Sequence, residues 1–178
     1  MRIGKIEHAD LEVLSVAAYL HDVGRSRQDE SKGQVCHAEA GAIMATELLA
    51  DYPIAEEQRV NILNCIRSHR FRGGCSPQTL EARVLYDADK LDAIGAIGIG
   101  RAFLFAGEVG ARLHTPHVNP EDTRPYTPED TGYREYRLKL SRIKDKMLTT
   151  EGRRLAEERH HFMEVFFERF LDEYEGLK

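Results

Sequence analysis

A helix-periodic apolar run that ends on two ionisable groups restricts this chain more than any other feature. From residue 9 to residue 20, Leu11, Val13, Leu14, Val16, Ala17, Ala18 and Leu20 recur at helical spacing, with Asp10 and Glu12 in the first turn. The run then finishes Leu20-His21-Asp22-Val23-Gly24. An imidazole and a carboxylate where an apolar helix face meets the core are costly to desolvate unless something pairs them. A divalent cation is the most economical partner, so His21 and Asp22 are read as the centre of a site. Gly24 is expected to take the left-handed conformation that commonly ends a helix.

Composition narrows the classes that remain. With 178 residues, 42% hydrophobic and 31% charged, the chain reads as one globular domain spanning residues 1–178. No apolar run approaches the roughly 20 residues of a membrane span, and the first residues lack the apolar core of a secretory signal, which predicts a cytoplasmic protein without a membrane partner. A formal charge of −5 with no basic stripe argues against nucleic acid. Cys36, Cys65 and Cys75 are odd in number and show no CxxC spacing, so they are read as reduced thiols.

Further candidates follow along the chain. Residues 25–36 are polar and aperiodic and are expected to form a loop in which Arg25, Arg27 and Lys32 could meet a substrate. A helix over 37–50 carries His37, Gly41, Met44 and Leu48 on one face, where Gly41 fits a close backbone approach. A helix over 55–68 uses Val60, Ile62, Leu63 and Ile66, and ends on His69, Arg70 and Arg72, whose guanidiniums suit phosphate. A fourth helix, from residue 78 or 79, carries Asp87, Asp89 and Asp92. Asp89 lies one turn from Leu85 and from Ala93, which predicts that it faces inward while Asp87 and Asp92 are rotated away. Gly95, Gly98 and Gly100 fit close helix packing better than a dinucleotide loop, because no strand precedes them. Residues 107–131 form a long irregular segment, in which Arg112, His114 and His117 fit a plain surface loop better than substrate contacts. Two helices, 133–149 and 151–174, close the chain, the last with Leu155, Phe162, Val165, Phe166 and Phe170 as its core stripe. With no run of alternating strands, the fold class is all-α, a bundle of about six helices.

His21, Asp22, His37, His69 and Asp89 thus come from the ends and inner faces of four helices. Nitrogen and oxygen donors without thiolate suit Mn²⁺, Mg²⁺, Co²⁺, Ni²⁺ or Fe with open positions. The strings Leu-His-Asp-Val-Gly at 20–24 and Asp-Ala-Asp-Lys-Leu-Asp-Ala-Ile-Gly-Ala-Ile-Gly at 87–98 resemble the central and last motifs of the HD superfamily of metal-dependent phosphohydrolases. The second string, with Glu-Arg-His-His-Phe-Met at 158–163, also resembles a subgroup of small stand-alone bacterial members acting on nucleotides. The resemblance runs from about residue 9 to the C-terminus and implies an HD-type bundle holding a divalent metal, Mn²⁺ first among the candidates. It implies His21, Asp22 and Asp89 as ligands, with His37 and His69 resembling the extra histidines of members that hold a second metal. The family's first His has no counterpart here. His8 stands 13 positions before His21, about 20 Å along a continuous helix at roughly 1.5 Å per residue. The chain is therefore expected either to start at an internal methionine or to have lost a ligand. Absence of a covering helix would expose an apolar stripe and favour a homodimer.

The function this implies is hydrolysis of a nucleotide or related small phosphate ester through a metal-activated water. Lys90, Arg25 or Arg70 would neutralise phosphate charge and Asp92 would handle protons. The alternative is a truncated or degenerate HD domain that binds a nucleotide or a partner without catalysis.

Overall fold

All regular structure in the computed structural model is helical; it describes residues 1–70 and 75–178. The order is α1 (Arg2–Ile6), α2 (Leu11–Leu20), α3 (Arg25–Glu30), α4 (His37–Leu48), α5 (Glu56–Ser68), α6 (Leu80–Asp92), α7 (Gly95–Glu108), α8 (Gly132–Leu138) and α9 (Thr150–Tyr174), with 3₁₀ turns at Pro120–Asp122, Leu140–Arg142 and Lys144–Lys146. The all-α class is as expected, and among the described residues there is no strand. Among the described residues the α-helices number nine rather than about six. The additions are α1, α7 and α3, the last of which replaces the loop expected over 25–36. Arg-Ser-Arg-Gln-Asp-Glu has no apolar residue to mark a period, yet arginine, glutamine and glutamate form helix readily. None of the described helices is long and apolar enough to cross a membrane.

The chain divides into two compact units, Met1–Asp89 with Leu148–Gly152, and Lys90–Met147 with Arg153–Lys178. In the first, Asp10 caps α2 by accepting from Glu12 N at 2.9 Å and Val13 N at 3.2 Å. Glu81 of α6 ties three elements together, accepting from Asp10 N at 2.9 Å and from Asn61 Nδ2 of α5 at 2.9 Å. Helix α5 packs on both α2 and α4. The buried face of α4 is His37, Ala38, Gly41, Ala42 and Ala45, whereas the expected Leu48 is exposed. Val60 of α5 is likewise exposed, leaving Ile62 and Ile66 to the core.

Asp87 corrects the expectation for the acids of α6. It is fully buried, while Asp89 is half-buried and Asp92 exposed. The Asp87 carboxylate accepts from Leu148 N at 2.9 Å, Thr149 N at 2.8 Å and Thr149 Oγ1 at 2.6 Å, which fixes the chain just before α9. Gly152 leaves room for it, because a Cβ there would lie 2.8 Å from Asp87 Cγ.

The second unit is built on aromatic rings. Phe103 of α7 meets Phe166, Phe167 and Phe170 of α9, and Tyr136 of α8 stacks on Phe167 at 4.2 Å. Met163 and Phe167 are the buried large residues of α9, with Ala156 and His160 on the same stripe, while Phe162 and Val165 are exposed. Helix α8 stops at Leu138 instead of continuing to 149. The 3₁₀ turns that follow eclipse residues three apart, which buries Leu140 and Ile143 together. The segment 107–131 is pinned by buried Arg134, which donates to Asp130 Oδ1 at 2.7 Å and Thr123 O at 3.0 Å. His114 packs edge-on against Tyr133, Phe170 and Tyr174. Gly98 has no space for a side chain against Ala93 O, and Gly95 has a φ of +78° beside Arg159; Gly100 lies in open space.

Replacing Asp87 by alanine strands three donors of the 148–149 turn in a buried setting. Urea denaturation is expected to show a loss of about 3 kcal/mol with an unchanged dependence on denaturant.

Candidate metal centre

Gly24 converts local structure into a site, though not as a left-handed helix stop. Its φ is −83° and it precedes the first residue of α3. What the position requires is the absence of a side chain. A Cβ there would lie 2.5 Å from Gly41 N and would collide with His37 O. Gly41 reciprocates: its own Cβ position is 3.4 Å from Gly24 N and 3.5 Å from His21 O. Gly41 of α4 therefore seats on the turn that follows α2, and His37, the first residue of α4, reaches Asp22. His69 arrives from the C-terminal end of α5.

The result is a tight group of donors. His37 Nε2 is 3.1 Å from Asp22 Oδ1, His69 Nε2 is 3.7 Å from the same oxygen, and the two Nε2 atoms are 3.1 Å apart. Among the described residues, Asp22, His37 and His69 each offer a ligand atom within 4.8 Å of the others. His21 stands beside them, with Nε2 3.8 Å from Asp22 Oδ2 and its ring edge-on to His69. His69 Nδ1 donates to Ile66 O at 2.7 Å and His21 Nδ1 donates to Ala18 O at 2.8 Å. Each ring therefore turns an electron-pair-bearing Nε2 away from its own helix. Two buried imidazoles and a carboxylate with no thiolate fit a divalent cation of the Mn²⁺ to Zn²⁺ series.

Cationic side chains flank this group. Arg25 Nη2 donates to both Asp22 oxygens, at 3.1 Å and 2.8 Å. Arg70 Nη1 donates to Gln28 Oε1 at 2.9 Å, and the same oxygen lies 2.9 Å from His37 Nδ1. Periodicity gave no sign of Gln28, which sits on the all-polar α3. Arg72 lies outside the described residues. Asp89 is half-buried and close enough for its charge to favour protonated His69, but it is not part of the tight group. Lys90 and Asp92 fall in the second unit, where Asp92 is exposed and ion-paired to Arg101.

Electrostatics keep the donors available. Burial, reinforced by the charges of Arg25 and Arg70, pushes His37 down to about 4 against the partial opposition of Asp22. Burial also lowers His69, although its bond to Ile66 O and the charge of Asp89 oppose the shift. For Asp22, burial acts to raise the carboxyl but is outweighed by the Arg25 hydrogen bond and the charges of His21, Arg25 and His37, so it stays below the usual range.

The family model for the HD domain matches residues 1–94. The Bacillus subtilis protein YpgQ is 33% identical over 179 residues, which cover 98% of this chain and 78% of YpgQ. This chain belongs to the HD family. Solved structures resemble it over nearly its whole length. An HD-superfamily hydrolase from Bacillus thuringiensis has a TM-score of 0.76 and 29% identity, covering 98% of this chain and 79% of that one. B. subtilis YpgQ, crystallised with ADP, has a TM-score of 0.71 and 32% identity, covering 97% and 81%. HD membership implies a divalent metal, and the Asp22–His37–His69 group offers this HD protein a place to hold one.

The depressed histidines set a pH window. The unfolded chain protonates His37 near 6.5 and the folded chain near 4, so His37 stabilises the fold fully above about pH 6.5 and loses that contribution as pH falls toward 4. Asp22 acts in the same direction, but only below its ordinary value of 3.8. Thermal melts of the metal-free chain should be flat above pH 7 and fall between pH 6.5 and 4, with a shallower fall in His37→Gln.

Proposed function

We propose that this HD protein is a divalent-metal-dependent phosphohydrolase for a nucleotide or related small phosphate ester. One observation carries the reading: a carboxylate and two buried imidazoles converge within 4.8 Å, with the guanidiniums of Arg25 and Arg70 at their margin. Asp22, His37 and His69 would hold the cation, with His21 and Asp89 as the further ligands that the family motifs imply. Mn²⁺ is the preferred candidate, on donor chemistry. When bound, such a cation polarises a phosphoryl oxygen and supplies hydroxide near neutral pH.

The remaining work falls to side chains of this chain. Arg25 and Arg70 offer planar, fixed-charge donors that match phosphate oxygens and neutralise the charge that develops on them. Arg25 is half-exposed, so an arriving phosphate can reach it without opening the core. The lowered pKa values of His37 and His69 keep both rings neutral at pH 7, the state in which an imidazole can bind a cation. Nucleotides are favoured among phosphate esters because the related YpgQ has been crystallised with ADP. Lys90 and Asp92 are not needed for this scheme.

The test is to titrate Mn²⁺ into the purified chain and follow phosphate and pyrophosphate release from nucleoside mono-, di- and triphosphates. Asp22→Asn is expected to lose Mn²⁺ binding and to reduce kcat/KM at least about 100-fold, more than about 2.7 kcal/mol of transition-state stabilisation. Hydrolysis that survives EDTA or Asp22→Asn would contradict the proposal.

A further inference from the structure

Among the described residues, Gln28 touches both the donor group and an arginine at its margin, and its amide can be oriented by its neighbours. Arginine only donates hydrogen bonds, so the Gln28 amide atom 2.9 Å from Arg70 Nη1 has to be the oxygen. That oxygen lies 2.9 Å from His37 Nδ1. Oxygen of an amide only accepts, so a hydrogen bond between the two needs the hydrogen on His37 Nδ1. Arg70 Nη1 is also 3.3 Å from His37 Nδ1, a contact that is a hydrogen bond only in the other tautomer, in which Nδ1 accepts and Nε2–H faces Asp22 Oδ1.

Of the two contacts at Nδ1, the one to Gln28 is the shorter, 2.9 Å against 3.3 Å, and it selects the tautomer with the hydrogen on Nδ1. With Nδ1 protonated and the ring neutral, Nε2 presents a bare electron pair toward Asp22 Oδ1 at 3.1 Å and His69 Nε2 at 3.1 Å. His69 Nε2 is bare for the same reason, since its Nδ1 donates to Ile66 O. Three electron-pair donors then face one another with no hydrogen between them, an arrangement that is repulsive until a cation enters. The backbone fixes His21 and His69 through carbonyl oxygens, but His37 begins α4 and depends on a side chain from another helix.

We propose that Gln28 is a positioning residue that couples the cation site to the anion-binding arginine. One oxygen sets the His37 tautomer and holds Arg70 beside it, so loss of that oxygen weakens cation and phosphate binding together. The proposal rests on the metal-dependent reading above and adds a tautomer requirement to it.

Three full-length proteins test it: wild type, Gln28→Met, which keeps the length of the side chain without an acceptor, and Gln28→Glu, which keeps the acceptor. Long-range ¹H–¹⁵N spectra of the histidine rings in the metal-free proteins should show His37 with Nδ1 protonated in wild type and Gln28→Glu. In Gln28→Met the other tautomer should appear. Calorimetry should show Mn²⁺ binding weakened about 10- to 100-fold in Gln28→Met and kept or strengthened in Gln28→Glu. ADP binding to the Mn²⁺-loaded protein should weaken about 10-fold in Gln28→Met alone. A wild-type His37 protonated on Nε2, or a Gln28→Met protein with unchanged tautomer and Mn²⁺ affinity, overturns the proposal. A wild type with the expected tautomer but no Mn²⁺ uptake overturns the metal-dependent reading and leaves the orientation of His37 by Gln28 supported.

Discussion

The structure of the first unit turns on one costly arrangement, the potential ligand atoms of Asp22, His37 and His69 held within 4.8 Å of one another where the two imidazoles are buried. Burial alone would favour separating such groups or filling their place with apolar side chains. Here the surrounding helices do the opposite. Carbonyl oxygens of Ala18 and Ile66 and the amide of Gln28 engage the far nitrogen of each imidazole, so every ring turns its near nitrogen inward. Arg25 on Asp22 offsets part of its negative charge. A fold that keeps these donors facing each other has a cation as its natural complement, and the fixed charges of Arg25 and Arg70 make the margin of the same site suited to phosphate.

Packing explains how helices from distant parts of the sequence deliver these groups. The seam between α4 and the turn after α2 is built on Gly24 and Gly41 in close backbone approach. Small residues let the backbones approach closely, which brings the first side chain of α4 within hydrogen-bond distance of Asp22 in that turn. The second unit follows a different rule, with large aromatic rings from α7, α8 and α9 filling the space between helices.

Much of this was legible in the sequence, for identifiable reasons. His21, Asp22, His37 and His69 were visible because each interrupts or ends an apolar helical run, and polar residues in such places need partners. The helical class was visible in the periodicity. The seam was not, because hydrophobic patterning favours large residues: Leu48 seemed a core position, while the buried positions are Ala45 and Leu49. Asp87 and Asp89 were exchanged for a related reason. Asp87 is buried against the 148–149 turn, a contact across 62 residues that no local window contains. Gln28 was invisible because α3 has no apolar face to reveal it. Its importance comes from two neighbours, His37 and Arg70, that only the tertiary fold brings to it.

The most direct test of the central claim is pulsed electron paramagnetic resonance on the chain loaded with one equivalent of Mn²⁺, using uniformly ¹⁵N-labelled and unlabelled protein. The account predicts hyperfine couplings from histidine nitrogens, reduced in His37→Gln and in His69→Gln. A Mn²⁺ spectrum without nitrogen couplings, or one that both substitutions leave unchanged, would show that the cation is held elsewhere and would contradict the account.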